Sequence, residues 1–100
     1  MPRLIKLFNF SYEEELYKQA VGIVIKRLRQ KSKLSQQKLA TITGMRQSTI
    51  LTIEKGRSEI HLKTFALLAE AFGLKCSHLA MIIDYQHHQL VINQLTTVFT

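Results

Sequence analysis

The residues best suited to chemistry in this 100-residue sequence form a short polar run, Arg46-Gln47-Ser48-Thr49, with Thr52 one turn further on. They supply a guanidinium, a carboxamide and three hydroxyls. That is hydrogen-bonding chemistry, not bond-breaking chemistry. Ile50 and Ile53 fall at the spacing of one apolar helical stripe, so the polar residues occupy the opposite side or the helix start. A short helix that is basic and amide-rich on its outer face suits the DNA major groove, where base edges present donors and acceptors.

The stretch before this helix positions it. Leu34, Leu39 and Ala40 recur at helical spacing, with Ser35 placed to cap the N-terminus. Gly44 then supplies a turn, at a left-handed position where a side chain would be costly. Lys55 and Arg57 follow the polar helix directly, where phosphate contacts are made. Lys38 on the preceding helix is a further phosphate candidate, and Thr49 lies nearer the backbone than the bases. Arg46 suits either a guanine or a phosphate.

Charge agrees with this placement. From Lys26 to Lys63 there are ten Lys or Arg against Glu54 and Glu59, a balance of +8; the other segments carry four basic and five acidic residues, −1, for the total of +7. A basic footprint concentrated on one segment favours a polyanion, with salt-sensitive affinity. Scattered solubilising charge would not segregate in this way.

The stretch LSQQKLATITGMRQSTILTIEKGR, with the lead-in IKRLRQKSKLSQ and the trailing LKTFALLAEAFGL, resembles the Cro/phage-repressor (xenobiotic-response-element) family of helix-turn-helix regulators. The resemblance covers about residues 21–79. It implies an all-α, five-helix, lambda-repressor-like DNA-binding domain. It also implies that Gln47, Ser48 and Thr52 read base edges beside Arg46, which agrees with their chemistry: amide to adenine, hydroxyl to either partner, Thr methyl to thymine. By the same resemblance Gln36 contacts phosphate and braces the recognition helix, and Arg29 and Glu54 form a structural ion pair between the first and third helices. Lys33 stands where the family often has Gly, and is free to reach a phosphate. Leu51 occupies a position that is commonly polar; packing on a neighbouring segment is favoured over contact with a thymine methyl. The segment SEIHL lacks the proline the family often has before its fourth helix, as in some restriction-modification controller proteins.

The remaining segments follow in order. Arg3–Phe10, RLIKLFNF, reads as a short strand or an extended arm. Ser11 and Glu14 form a capping box for a helix over Tyr12–Lys31, with a bend near Gly22. In it Ile25 and Leu28 match the family's core positions, while Ile23 and Val24 add apolar surface. Leu62, Phe65, Leu68, Ala69 and Phe72 make the stripe of the next helix, ended by Gly73. Residues 77–83 read as a fifth short helix with Leu79, Ile82 and Ile83 apolar. Beyond it the extension over 84–100 reads as a sixth helix, with a strand as the alternative. Its Tyr85, His88, Val91, Ile92, Leu95, Val98 and Phe99 are a candidate dimer seam, since paired half-sites require a dimer.

The organisation expected is therefore a single domain over 1–100, with a helix-turn-helix core about 21–83, the helix-turn-helix itself at 35–55, an N-terminal extension at 1–10 and a C-terminal dimerisation extension at 84–100. Cys76-x-His78 offers too few ligands for a closed metal site, and no cofactor loop or catalytic constellation is present, so neither metal, cofactor nor enzymatic activity is expected. One cysteine fits a reducing cytoplasm, with the protein on the nucleoid when bound to DNA. No apolar run approaches the roughly 18 residues of a membrane span. The function expected is a sequence-specific, double-stranded-DNA-binding regulator, most simply a homodimeric repressor reading the major groove with the helix at about 46–54. An antitoxin that also binds a protein toxin through its termini, a restriction-modification controller, and a helical module that has lost DNA binding are the alternatives.

Overall fold

The computed structural model describes residues 10–99 of the chain, with side chains from Glu14 to Thr97. The strand or arm expected over Arg3–Phe10 lies outside them, apart from Phe10, which opens the first helix. Five helices follow one another: α1 (Phe10–Lys31), α2 (Gln36–Thr43), α3 (Gln47–Glu54), α4 (Leu62–Ala71) and α5 (Cys76–Phe99). No strand occurs among the described residues.

The core is one cluster fed by every helix. Val24 and Ile25 of α1, Leu39 of α2, Ile50 and Ile53 of α3, Leu68 of α4 and Leu79 of α5 are buried together. Their spacing is helical within each element, so burial of one stripe per helix organises the whole domain. The extra apolar surface expected on α1 is used. Val24 is 1% exposed and Ile23 half-buried, while Leu16, Ala20 and Val24 line the side of α1 at successive turns.

Three expectations are corrected. α1 begins at Phe10, so Ser11 lies inside its first turn and not ahead of it. α1 also runs without a break through Gly22. That glycine has a packing role: a Cβ there would stand 2.7 Å from the Ile53 carbonyl oxygen and 2.8 Å from that of Glu54. α1 thus rests almost backbone to backbone on the C-terminal turn of α3. The fifth and sixth helices are a single α5 of 24 residues, because no Gly or Pro interrupts the sequence from Cys76 to Phe99. At about 1.5 Å per residue it is about 36 Å long. Leu62 and Ile82 are not core residues. Leu62, the first residue of α4, is 82% exposed, and Ile82 is turned partly to solvent.

α5 lies against α1. The Tyr17 ring stacks on His87 with centroids 3.7 Å apart, and its hydroxyl donates to Asp84 at 3.2 Å. Arg27 donates to the Gln86 side chain at 3.3 Å. No single helix among the described residues is long and apolar enough to cross a membrane.

Candidate nucleic-acid interface

The helix-turn-helix is built from local signals. Ser35 has an extended backbone and its hydroxyl accepts from the Lys38 amide at 3.0 Å, starting α2. Gly44 ends α2 in the left-handed conformation at φ 72°, its N–H bonded to the Thr41 carbonyl and the next amide, Met45, reaching back to Ala40. Arg46 then takes the N-cap position of α3 with no side-chain cap bond, which leaves its guanidinium available.

α3 divides cleanly. Ile50 is fully buried and Ile53 is 2% exposed, whereas Arg46, Gln47, Ser48, Leu51, Thr52 and Lys55 are exposed and Thr49 is half-buried. The Thr52 hydroxyl donates to the Ser48 carbonyl at 2.9 Å, so its donor is occupied within the helix. What it presents outward is acceptor capacity and a methyl group. Among the described residues Leu51 does not join the core: the side chain is 39% exposed on the same outward side.

A polar bolt fixes this helix to its neighbours. The Arg29 Nε donates to one Glu54 carboxylate oxygen at 2.6 Å and its Nη2 to the other at 3.0 Å. Arg29 Nη1 donates to the Leu34 carbonyl at 2.8 Å, and Gln36 Nε2 to Glu54 at 3.1 Å. The Arg29 and Glu54 side chains are 12% and 3% exposed. One carboxylate thereby joins the end of α3 to α1 and to the start of α2. The hydrogen bond to Glu54 raises the Arg29 pKa above its usual value and outweighs the opposing effect of burial, with the carboxylate's charge adding a smaller push in the same upward sense. The guanidinium therefore stays charged at every working pH. Glu54 contributes no free negative charge beside the outer face.

Cations surround that face. Lys33, Lys38, Lys55 and Arg57 are all exposed, in the turns on either side of the helix pair or on α2 itself. Lys33 sits in the turn after α1 at φ 58°, the one non-glycine residue with positive φ among the described residues. Gln36 is half-buried by its bond to Glu54.

Residues 25–79 match the helix-turn-helix family HTH_3. The chain belongs to this family. It is a DNA-binding transcriptional regulator, of a kind that binds double-stranded DNA.

Solved structures of similar fold include the clp gene regulator ClgR from Corynebacterium glutamicum, at 18% identity and TM-score 0.71, covering 82% of this chain and 88% of that one. The restriction-modification controller protein C.AhdI from Aeromonas hydrophila is 27% identical with TM-score 0.59, covering 62% and 94%. An HTH_3 family transcriptional regulator from Vibrio cholerae is 24% identical with TM-score 0.62, covering 66% of this chain and 37% of that one. No curated protein sequence is significantly similar to the chain.

In this helix-turn-helix chain the outer side of α5 forms a second surface. Met81, Tyr85, His88, Ile92 and Leu95 are exposed and recur at alternating steps of four and three, the spacing of a coiled-coil seam. Tyr85 is 66% and Leu95 52% exposed. Val91 is off this row and half-buried, and the side chains of Val98 and Phe99 lie outside the described ones. The Gln36–Glu54 bond is the bracing of the recognition helix that the family resemblance implies for Gln36, with Glu54 as its partner. One contact has no sequence signal: Tyr17 meets His87 across 70 positions, which depends on the finished fold.

Proposed function

We propose that the chain is a homodimeric repressor that recognises a two-part operator. α3 enters the major groove, where Arg46, Gln47, Ser48 and Thr52 read base edges. Lys33, Gln36, Lys38, Thr49, Lys55 and Arg57 hold the phosphates on either side, and bound protein blocks polymerase. No catalytic step is involved. The observation that carries this reading is the Arg29–Glu54–Gln36 bolt. It holds a polar, base-compatible helix face rigid and cancels the acid nearest to it. The row Tyr85, His88, Ile92 and Leu95 supplies the dimer seam, with Val91 beside it. Two copies then place their α3 helices on half-sites about one DNA turn, roughly 34–36 Å, apart.

A controller of restriction-modification genes is the second reading, favoured by the likeness to C.AhdI. It uses the same interface and differs in which promoter is bound.

The test is binding to genomic fragments, including the DNA upstream of the protein's own gene, across a salt series. Selective binding is expected, with a steep fall as salt rises. Gln47→Ala should relax selectivity at one base position at a cost of about 1–3 kcal/mol. Equal, weak binding to every fragment, unmoved by that substitution, would refute the reading. Co-purification with a neighbour-encoded protein would then point to an antitoxin.

A further inference from the structure

We propose that Leu51 is a specificity-determining residue that reads the C5-methyl group of a thymine in each half-site. The inference rests on the DNA-binding reading above and names one of the bases it discriminates.

Leu51 stands in the middle of the outward face of α3. At about 100° per residue, Gln47 and Lys55 lie about 40° to either side of it, and Ser48 about 60° away. Those three neighbours are polar and exposed, while the buried stripe of Ile50 and Ile53 is on the other side of the helix. Leu51 is 39% exposed, and the residue next to it in sequence, Ile50, is fully buried. Among the described residues the side chain thus has no part in the core. It is a single branched apolar group encircled by hydrogen-bonding groups.

In the major groove one base carries an apolar group on its edge, and that is thymine. A leucine at the centre of the inserted face covers such a methyl and removes both from water. At any other base it confronts an amino group or a carbonyl oxygen that it cannot bond, which leaves a desolvated polar edge. Thr52 strengthens this reading. With its hydroxyl donating to Ser48, its outward contribution includes a methyl one residue from Leu51.

The experiment starts from operators selected by the wild-type chain from random duplexes. Each thymine of the selected site is then replaced singly by uracil, which removes only the methyl group. For the wild type, one thymine in each half-site should show a penalty of about fourfold in Kd, the worth of one buried methyl. In Leu51→Ala that penalty should vanish, while penalties for altering the base read by Gln47 persist. Leu51→Met, which keeps an apolar reach, should retain part of it. Circular dichroism on each variant checks folding, which an exposed position leaves intact.

Uracil penalties identical in wild type and Leu51→Ala would overturn the proposal and leave the operator-binding reading standing. Failure of the wild type to select any sequence would overturn both. A change in dimerisation on Leu51→Ala, with thymine dependence unmoved, would place Leu51 in a protein contact instead.

Discussion

The exposed apolar residues of α3 and those of α5 differ in number and setting. On α3 there is one, Leu51, surrounded by Gln47, Ser48, Thr52 and Lys55. On α5 there is a row, Met81, Tyr85, Ile92 and Leu95, interrupted only by His88. An isolated apolar group in a polar field suits a ligand that is itself polar with one apolar spot, as a base-pair edge is. A continuous row at 3.5-residue spacing suits a surface of the same kind, such as a second α5. The two regions also differ inside. Both regions share the apolar core, but their polar contacts differ: the helix-turn-helix is fastened to α1 by a largely buried ion pair, whereas the polar contacts between α5 and α1 include a ring stack and hydrogen bonds between exposed side chains.

Breaking the network should have the largest effect. Glu54→Ala leaves the Arg29 guanidinium buried with only the Leu34 carbonyl as partner, and strands the Gln36 amide. Loss of one partner of a buried pair costs about 3 kcal/mol or more. For a domain of this size the melting temperature should fall by roughly 10–20 °C, measurable by calorimetry. The double change Arg29→Met with Glu54→Leu should recover much of the loss, since the buried charge disappears from both sides. If Glu54→Ala melts like the wild type, the network is not what holds α3, and the contrast with α5 fails.

The α5 row is tested by a charge. Leu95→Asp should leave the stability of the isolated chain within about 0.5 kcal/mol, because the side chain is half exposed already. In a dimer it would place two carboxylates in an apolar seam. Sedimentation should then show self-association weakened by about a hundredfold or more, with operator affinity falling alongside it. Unchanged self-association with Leu95→Asp would take the seam off this face of α5.

How much of this was legible in the sequence depended on how local each signal was. Ser35 and Gly44 mark the ends of α2 by their own chemistry, and Ile50 with Ile53 shows which side of α3 is inward. The pairing of Arg29 with Glu54 is not local. It was available only because the surrounding motif resembles a known family, and the structure then supplies its bidentate geometry and the bond from Gln36. The end of α5 lay between the two cases. Asp84-Tyr85 was a plausible boundary, but it contains no residue that terminates a helix, and the backbone continues. A glycine within a helix weakens it locally and so signals a bend at Gly22. Its packing role, the approach of the Ile53 and Glu54 carbonyls, exists only when α1 and α3 are docked. For Leu51 the sequence leaves packing and a thymine-methyl contact both open, with packing favoured, whereas its exposure follows from where Ile50 and Ile53 point.

The smallest effect expected separates folding from binding at a single residue. Lys33 holds a left-handed backbone at φ 58°, a conformation that costs a side-chain-bearing residue about 1–2 kcal/mol. Glycine relieves that strain but adds freedom to the unfolded chain, an opposing term of roughly 0.5–1 kcal/mol. Lys33→Gly should therefore stabilise the domain slightly, by up to about 1 kcal/mol, and raise its melting temperature by a few degrees. If the lysine is kept in this turn to neutralise a phosphate, the same change should weaken operator binding. The slope of log K against log salt should become shallower by about 0.9 for each subunit. A stability gain with an unchanged salt slope would free Lys33 of any part in the interface, and would confine the phosphate contacts to α2, Thr49 and the turn after α3.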